Sequence, residues 1–184
     1  ITYGTANWDW LQKANRLSFA ANTTFYLTIP EGVVATNTCR FQADSADRGV
    51  VVKRGKGTLV LQCDPATPNV DNSYWMGKFI IEEGEVWLPQ DAETYSVYLG
   101  EVEVAAGATL YLARGADETV SSGGTTYMRG LSGAGLVTNT CSIAGGRSLY
   151  FNAPSTNVFS GAIGGGVGIV AANAIGEINH WPIV

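Results

Sequence analysis

The chain has 184 residues, 46% of them hydrophobic, with 23 glycines and a formal net charge of −5 from 11 Lys+Arg against 16 Asp+Glu. That length fits one domain with a continuous core, and the acidic balance argues against a nucleic-acid partner, because phosphate binding requires a basic face. No apolar run approaches the roughly 20 residues that span a bilayer, so membrane insertion is not expected.

The sequence opens at Ile1 rather than Met, as a mature secreted chain does once its leader is removed, and as a piece cut from a longer chain also does. An extracellular or cell-surface location is therefore expected. From Asn7 to Ala21, the residues Trp10, Leu11, Ala14 and Leu17 recur at helix-compatible spacing after a capping candidate at Asp9. The spacing predicts an N-terminal cap, helix or strand, within residues 1–24, covering the open edge of the first repeat unit.

From Leu27 onward the chain repeats the form apolar–x–x–Gly–x–x–apolar–x–apolar. A loose copy is Leu27-Thr-Ile29-Pro-Glu-Gly32-Val33. Clear copies are Val52-Lys-Arg-Gly55-Lys-Gly57-Thr-Leu59-Val-Leu61, Ile80-Ile-Glu-Glu-Gly84-Glu-Val86-Trp-Leu88 and Val104-Ala-Ala-Gly107-Ala-Thr-Leu110-Tyr-Leu112. Leu131-Ser-Gly133-Ala-Gly135-Leu-Val137 is again loose. Thr36-Asn37-Thr38-Cys39 returns verbatim as Thr138-Asn139-Thr140-Cys141, an offset of 102 residues, or four periods of about 25.5. A fixed period of this length marks a solenoid.

Within each unit the apolar residues alternate, as in half-buried strands. Leu59/Leu61, Val86/Leu88, Leu110/Leu112 and Leu149/Phe151 are expected to point inward. The intervening glycine permits a bend at positive φ. One such strand pair cannot bury its own face, but coils stacked ~4.8 Å apart close the backbone hydrogen bonds and build a shared core. The expected fold is all-β, a single-stranded parallel β-solenoid of about six to seven coils forming one domain over residues 1–184. Turn-forming stretches place excursion loops at residues 64–78 and 115–126.

Gly55-Lys-Gly-Thr-Leu-Val-Leu61, then Asn72-Ser-Tyr74 with Gly77, then Phe79-Ile-Ile-Glu-Glu-Gly84-Glu-Val-Trp-Leu88 resembles the autotransporter-associated β-strand repeat. Asn157-Val-Phe159-Ser-Gly161-Ala-Ile163 is similar to a further part of that repeat. The resemblance covers about half the chain, and it implies a secreted or surface-displayed parallel β-helix.

Chemistry-bearing residues are few. Cys39 and Cys63 lie 24 residues apart, close to one coil, so stacking brings them within disulfide range; three buried thiols are the alternative. Cys141 is left over, as a buried thiol or an intermolecular partner. His180 is the only histidine, which leaves no basis for a catalytic triad or a metal site. Glu82, Glu83, Glu85, Glu101 and Glu103 form an acidic cluster. Glycoside hydrolysis needs two carboxyls ~5 to 9.5 Å apart, and no stacked pair is forced, so a solvated face is the expectation. Gly161 to Gly168 lacks the Lys-Ser/Thr of a phosphate loop and reads as tight turns or a glycine-lined coil. No enzyme activity, cofactor or metal is expected.

The aromatics are more informative. Trp87, Tyr111 and Tyr150 each sit between two inward residues and so turn outward. Val60, Trp87 and Tyr111 are predicted to form one outer ladder. Exposed aromatic strips mark contact surfaces; packing by a loop or subunit, here with Tyr74 and Trp75 on an excursion loop, and a glycan platform are both open. The open ends of a solenoid are unpaired strand edges that invite another chain. Ile1, Tyr3, Trp181, Ile183 and Val184 are candidates for such end-to-end self-association. The expected function is an extracellular structural or adhesive solenoid, in one form a self-assembling fibre subunit. The alternative is a carbohydrate-binding or polysaccharide-degrading β-helix, including the phage tail-spike type, with glycans or a cell surface as partner.

Overall fold

The computed structural model describes residues 16–19, 22–37, 40–43, 49–61, 72–88, 97–112, 125–139, 147–151, 158–165 and 167–171. The first coil contains β1 (Arg16–Phe19), β2 (Thr23–Thr28) and β3 (Val34–Asn37), and the second β4 (Arg40–Ala43), β5 (Gly49–Arg54) and β6 (Thr58–Leu61). The next three coils have two strands each: β7 (Asn72–Ile81) with β8 (Glu85–Trp87), β9 (Val97–Val104) with β10 (Thr109–Tyr111), and β11 (Thr125–Gly133) with β12 (Leu136–Thr138). The sixth has β13 (Arg147–Phe151) and β14 (Ala162–Ile163), and β15 (Val167–Ala171) lies beyond it.

The strands alternate between two sheets. One runs β15-β13-β11-β9-β7-β5-β2 and the other β14-β12-β10-β8-β6-β3, while β1 and β4 form a small third sheet. Every described pairing between strands is parallel. This is a parallel β-solenoid of about six coils, as the glycine period predicts. In the six-stranded sheet Val34 pairs Thr58, and Glu85, Thr109, Leu136 and Ala162 continue the same register. From Val34 to Leu136 is four coils and 102 residues, the offset of the duplicated Thr-Asn-Thr-Cys. Asn37 and Asn139, from the two copies, are correspondingly both buried.

Alternation fills the core. Ala35, Leu59, Val86, Leu110, Val137 and Ile163 share one inward row and are all buried. Val51, Phe79, Val102 and Leu131 form a row on the seven-stranded sheet. Burying each Val, Leu, Ile or Phe side chain of these rows contributes about 1.5–3 kcal/mol, and the stack repeats that gain coil by coil. Leu61, Leu88, Leu112 and Leu149 are buried as expected, whereas Phe151 is only partly buried.

The bend glycines behave as the repeat predicts: Gly32, Gly55, Gly84, Gly107 and Gly133 have φ between 70° and 102°. The corners are not identical. In the first and fourth coils Val33 and Ala108 close tight turns onto Pro30 and Ala105. In the second and fifth, Gly-x-Gly corners seat on those turns, Gly57 donating to Ile29 O (3.0 Å) and Gly135 to Val104 O (2.9 Å). In the third and sixth, Glu85 and Ala162 donate to Gly57 O and Gly135 O. The corner pattern of three coils is thus repeated in the next three.

The leading apolar residues of the repeat do not share a row. Val52 pairs with outward-facing Ile80, while Leu27 and Val104 lie in the inward row of Lys53 and Ile81, because corners of different length sit between strand and glycine. β7 begins at Asn72 and β11 at Thr125, inside the stretches expected as loops. In β7 the β-prone Tyr-Trp-Met run outweighs the preceding turn formers. Within the expected cap, Arg16–Phe19 is a strand paired with β4, and β2 already belongs to the first coil. The apolar spacing there fits either period, and ladder pairing decides it.

Candidate functional site

The outer face of the six-stranded sheet carries the predicted ladder. Val60, Trp87, Tyr111 and Thr138 occupy consecutive register positions. Trp87 and Tyr111 are half-buried, and Val60 is almost wholly covered at 9% exposure. The two rings pack edge to face, with centroids 6.3 Å apart and planes at 80°, a favoured aromatic geometry. Trp87 Nε1 donates to Glu85 Oε2 at 2.7 Å, which fixes the indole along its own strand. Thr36, Thr58, Thr109 and Thr138 complete the same outer face.

Tyr150 does not join that ladder. It lies on β13 in the other sheet, in register with Tyr127 on β11, which in turn is in register with Tyr98 on β9. Tyr127 and Tyr150 are half-buried, their ring centroids 5.2 Å apart and tilted by 34°. Ser73 pairs Tyr98, and Tyr74 falls in the irregularity between Ser73 and Trp75. The candidates Tyr74 and Trp75 therefore lie on a strand beside this second row. Tyr98 and Tyr127 went unread in the sequence, although Tyr98-Leu99, Tyr127-Met128 and Tyr150-Phe151 share a Tyr–apolar signature.

The acidic residues are mostly committed. Arg54 Nε meets Glu82 Oε2 at 2.7 Å, and the same guanidinium lies 3.9 Å from the Tyr26 ring centroid. The hydrogen bond to Glu82, with the nearby charges, raises the already high pKa of Arg54. Lys78 pairs with Glu103 at 2.5 Å, and Glu85 holds Trp87. Glu83 and Glu101 are exposed.

Lys53 also went unread in the sequence. It points inward and is fully buried. Its Nζ donates to the carbonyls of Gly55 (2.5 Å), Gly57 and Glu83 (2.6 Å), so one ammonium ties the corners of two coils. Burial lowers its pKa from 10.5 to about 8, against the opposing pull of Glu83 and Glu85. Gly84, at φ 70°, leaves the space for it: a Cβ there would meet Lys53 Nζ and the Gly57 carbonyl.

Among the described residues no three His, Cys, Asp or Glu are grouped to hold a metal, and no helix is long and apolar enough to cross a membrane. Cys39, Cys63, Cys141, His180 and the candidate assembly residues Ile1, Tyr3, Trp181, Ile183 and Val184 lie outside the described residues. In the glycine run, Ala162–Ile163 is a strand, Gly165 has φ 70° and Val167–Ala171 is the next strand. Compared with known proteins, the chain matches no family model, no curated protein and no solved structure.

Proposed function

We propose that the chain is a non-enzymatic structural or adhesive solenoid of the cell exterior, working by presenting a rigid surface and, in its polymeric form, by stacking end to end. The observation that carries this reading is the pair of aromatic rows held in register on the outer faces: Trp87 with Tyr111, and Tyr127 with Tyr150. Partly exposed aromatics with a fixed geometry lose little entropy on contact and dominate interface energetics. The extracellular setting is inferred from the motif resemblance of Gly55–Leu61 and Phe79–Leu88 to autotransporter-associated repeats. Commitment of Glu82 and Glu103 to ion pairs, and of Glu85 to Trp87, favours a binding role over acid–base catalysis.

Polymerisation is argued from topology. Among the described strands, β2 and β3 end the sheets on one side, and β15 and β14 on the other. A second copy adding to such edges would extend the same ladders, and a non-closing head-to-tail contact builds a fibre. Negative-stain electron microscopy at rising concentration tests this form. Long unbranched fibres support it; monomeric particles at every concentration remove it and leave the adhesive form.

A second reading, a glycan-binding face, is favoured by one feature. Trp87 is locked by a carboxylate on a face otherwise rich in threonine hydroxyls, a combination suited to a sugar ring. Binding of the chain to immobilised polysaccharide, lost in Trp87→Ala, would select it.

A further inference from the structure

We propose that Tyr127 and Tyr150 form a site of oxidative coupling, joined as an intrachain dityrosine that staples the fifth coil to the sixth. The two residues sit directly opposite each other on neighbouring parallel strands. Their ring centroids lie 5.2 Å apart with the planes tilted by 34°, so the two phenols are immediate neighbours and side-chain rotation alone can bring their ortho carbons together. β11 is held by β9 on one side, and β13 by β15 on the other, so the approach is fixed by the ladder. Both rings are half-buried, open enough to lose an electron to an outside oxidant, while their inward-facing chain neighbours Met128 and Leu149 anchor the two strands in the core. The Trp87–Tyr111 pair is mixed and nearly perpendicular and does not offer two phenols.

The chemistry balances with hydrogen peroxide and a haem peroxidase as the oxidising system. Each phenol loses one electron and its hydroxyl proton, giving two phenoxyl radicals with spin at the ortho carbons. These carbons form one C–C bond. The hydrogen on each coupled carbon then moves to its own oxygen and restores both phenols. The pair has lost two electrons and two protons, which reduce one peroxide to two waters. This link closes the chain between residues 127 and 150, and a cross-link of this kind stabilises mainly by restricting the unfolded ensemble.

The test uses the full chain with peroxidase and peroxide. Digestion and mass spectrometry should recover, from the monomer fraction, one cross-linked species carrying Tyr127 and Tyr150 and lighter by two hydrogens. Blue dityrosine fluorescence should appear with it, and the thermal midpoint of the treated monomer should rise. Tyr127→Phe and Tyr150→Phe keep the rings in place and should each abolish that species and the rise, whereas Tyr111→Phe should change neither. Coupling found only between chains, coupling that joins other tyrosines instead, or tyrosine oxidation without this link would overturn the proposal. Because the readout is a bond within the monomer, its failure leaves fibre formation and adhesion untouched.

Discussion

At the scale of single residues, the polar groups inside the solenoid dictate where it gains and loses stability. Thr126 is fully buried in the row of Val97 and Leu149, and its Oγ1 has no hydrogen-bond partner. An unsatisfied buried hydroxyl costs about 1–3 kcal/mol. Thr126→Val keeps the shape and removes that cost, so it should stabilise the protein by about 1 kcal/mol in urea titrations; a loss of stability would show that the hydroxyl is satisfied. Lys53 behaves in the opposite way. Lys53→Met removes the ammonium from the Gly55 and Glu83 carbonyls and leaves Gly57 O only its Glu85 amide, so it should destabilise by about 2 kcal/mol at neutral pH. The pH dependence has a definite sign. The folded pKa, about 8, lies below the ordinary 10.5, so the cost of burying the charge is fully present below pH 8 and is relieved as pH rises to 10.5. The wild type should therefore gain on Lys53→Met by about 1–3 kcal/mol across that window, the lower end applying where solvent at the corner screens the charge. A difference that stays flat from pH 8 to 10.5 would mean that the three carbonyls already offset the burial.

At the scale of the coil corner, glycine positions divide by what lies beneath them. Gly84→Ala must displace Lys53 Nζ and the Gly57 carbonyl, whereas a Cβ at Gly107 meets nothing within 4 Å. Both positions have positive φ, so Gly107→Ala should lose only about 1–2 kcal/mol of backbone strain, and Gly84→Ala clearly more. Thermal unfolding of the two variants measures the gap; equal losses would contradict the packing of Lys53 beneath Gly84. The corners also set how much of the fold is legible in the sequence. Gly32, Gly55, Gly84, Gly107 and Gly133 were legible because a bend at positive φ favours glycine whatever surrounds it. The register of Val52 was not, because corner length varies from coil to coil and a one-residue slip moves a side chain to the opposite face. Lys53 was hidden for a different reason: lysine inside a β-core is rare, and only the three-dimensional corner supplies its carbonyl partners. The Trp87–Tyr111 row was readable because β8 and β10 are short and strictly alternating, while Tyr98 and Tyr127 sit in the longer strands β9 and β11, and Tyr98 lies where β7 and β9 shift register.

At the scale of the whole molecule, parallel stacking turns a short sequence period into long, straight rows of identical function: apolar inside, aromatic and polar outside. Surface ion pairs such as Lys78–Glu103 add little to its stability. The central claim is that contact is made through the aromatic rows, and it is tested most directly by surface plasmon resonance of the purified chain over immobilised copies of itself and over polysaccharide. Wild type should be retained on at least one of these surfaces. Trp87→Ala should weaken that retention about tenfold or more, as loss of a central aromatic contact worth about 1.4 kcal/mol or above requires, while Lys56→Ala, at an exposed corner, should not. Retention of Trp87→Ala equal to wild type, with both proteins folded, would contradict the account.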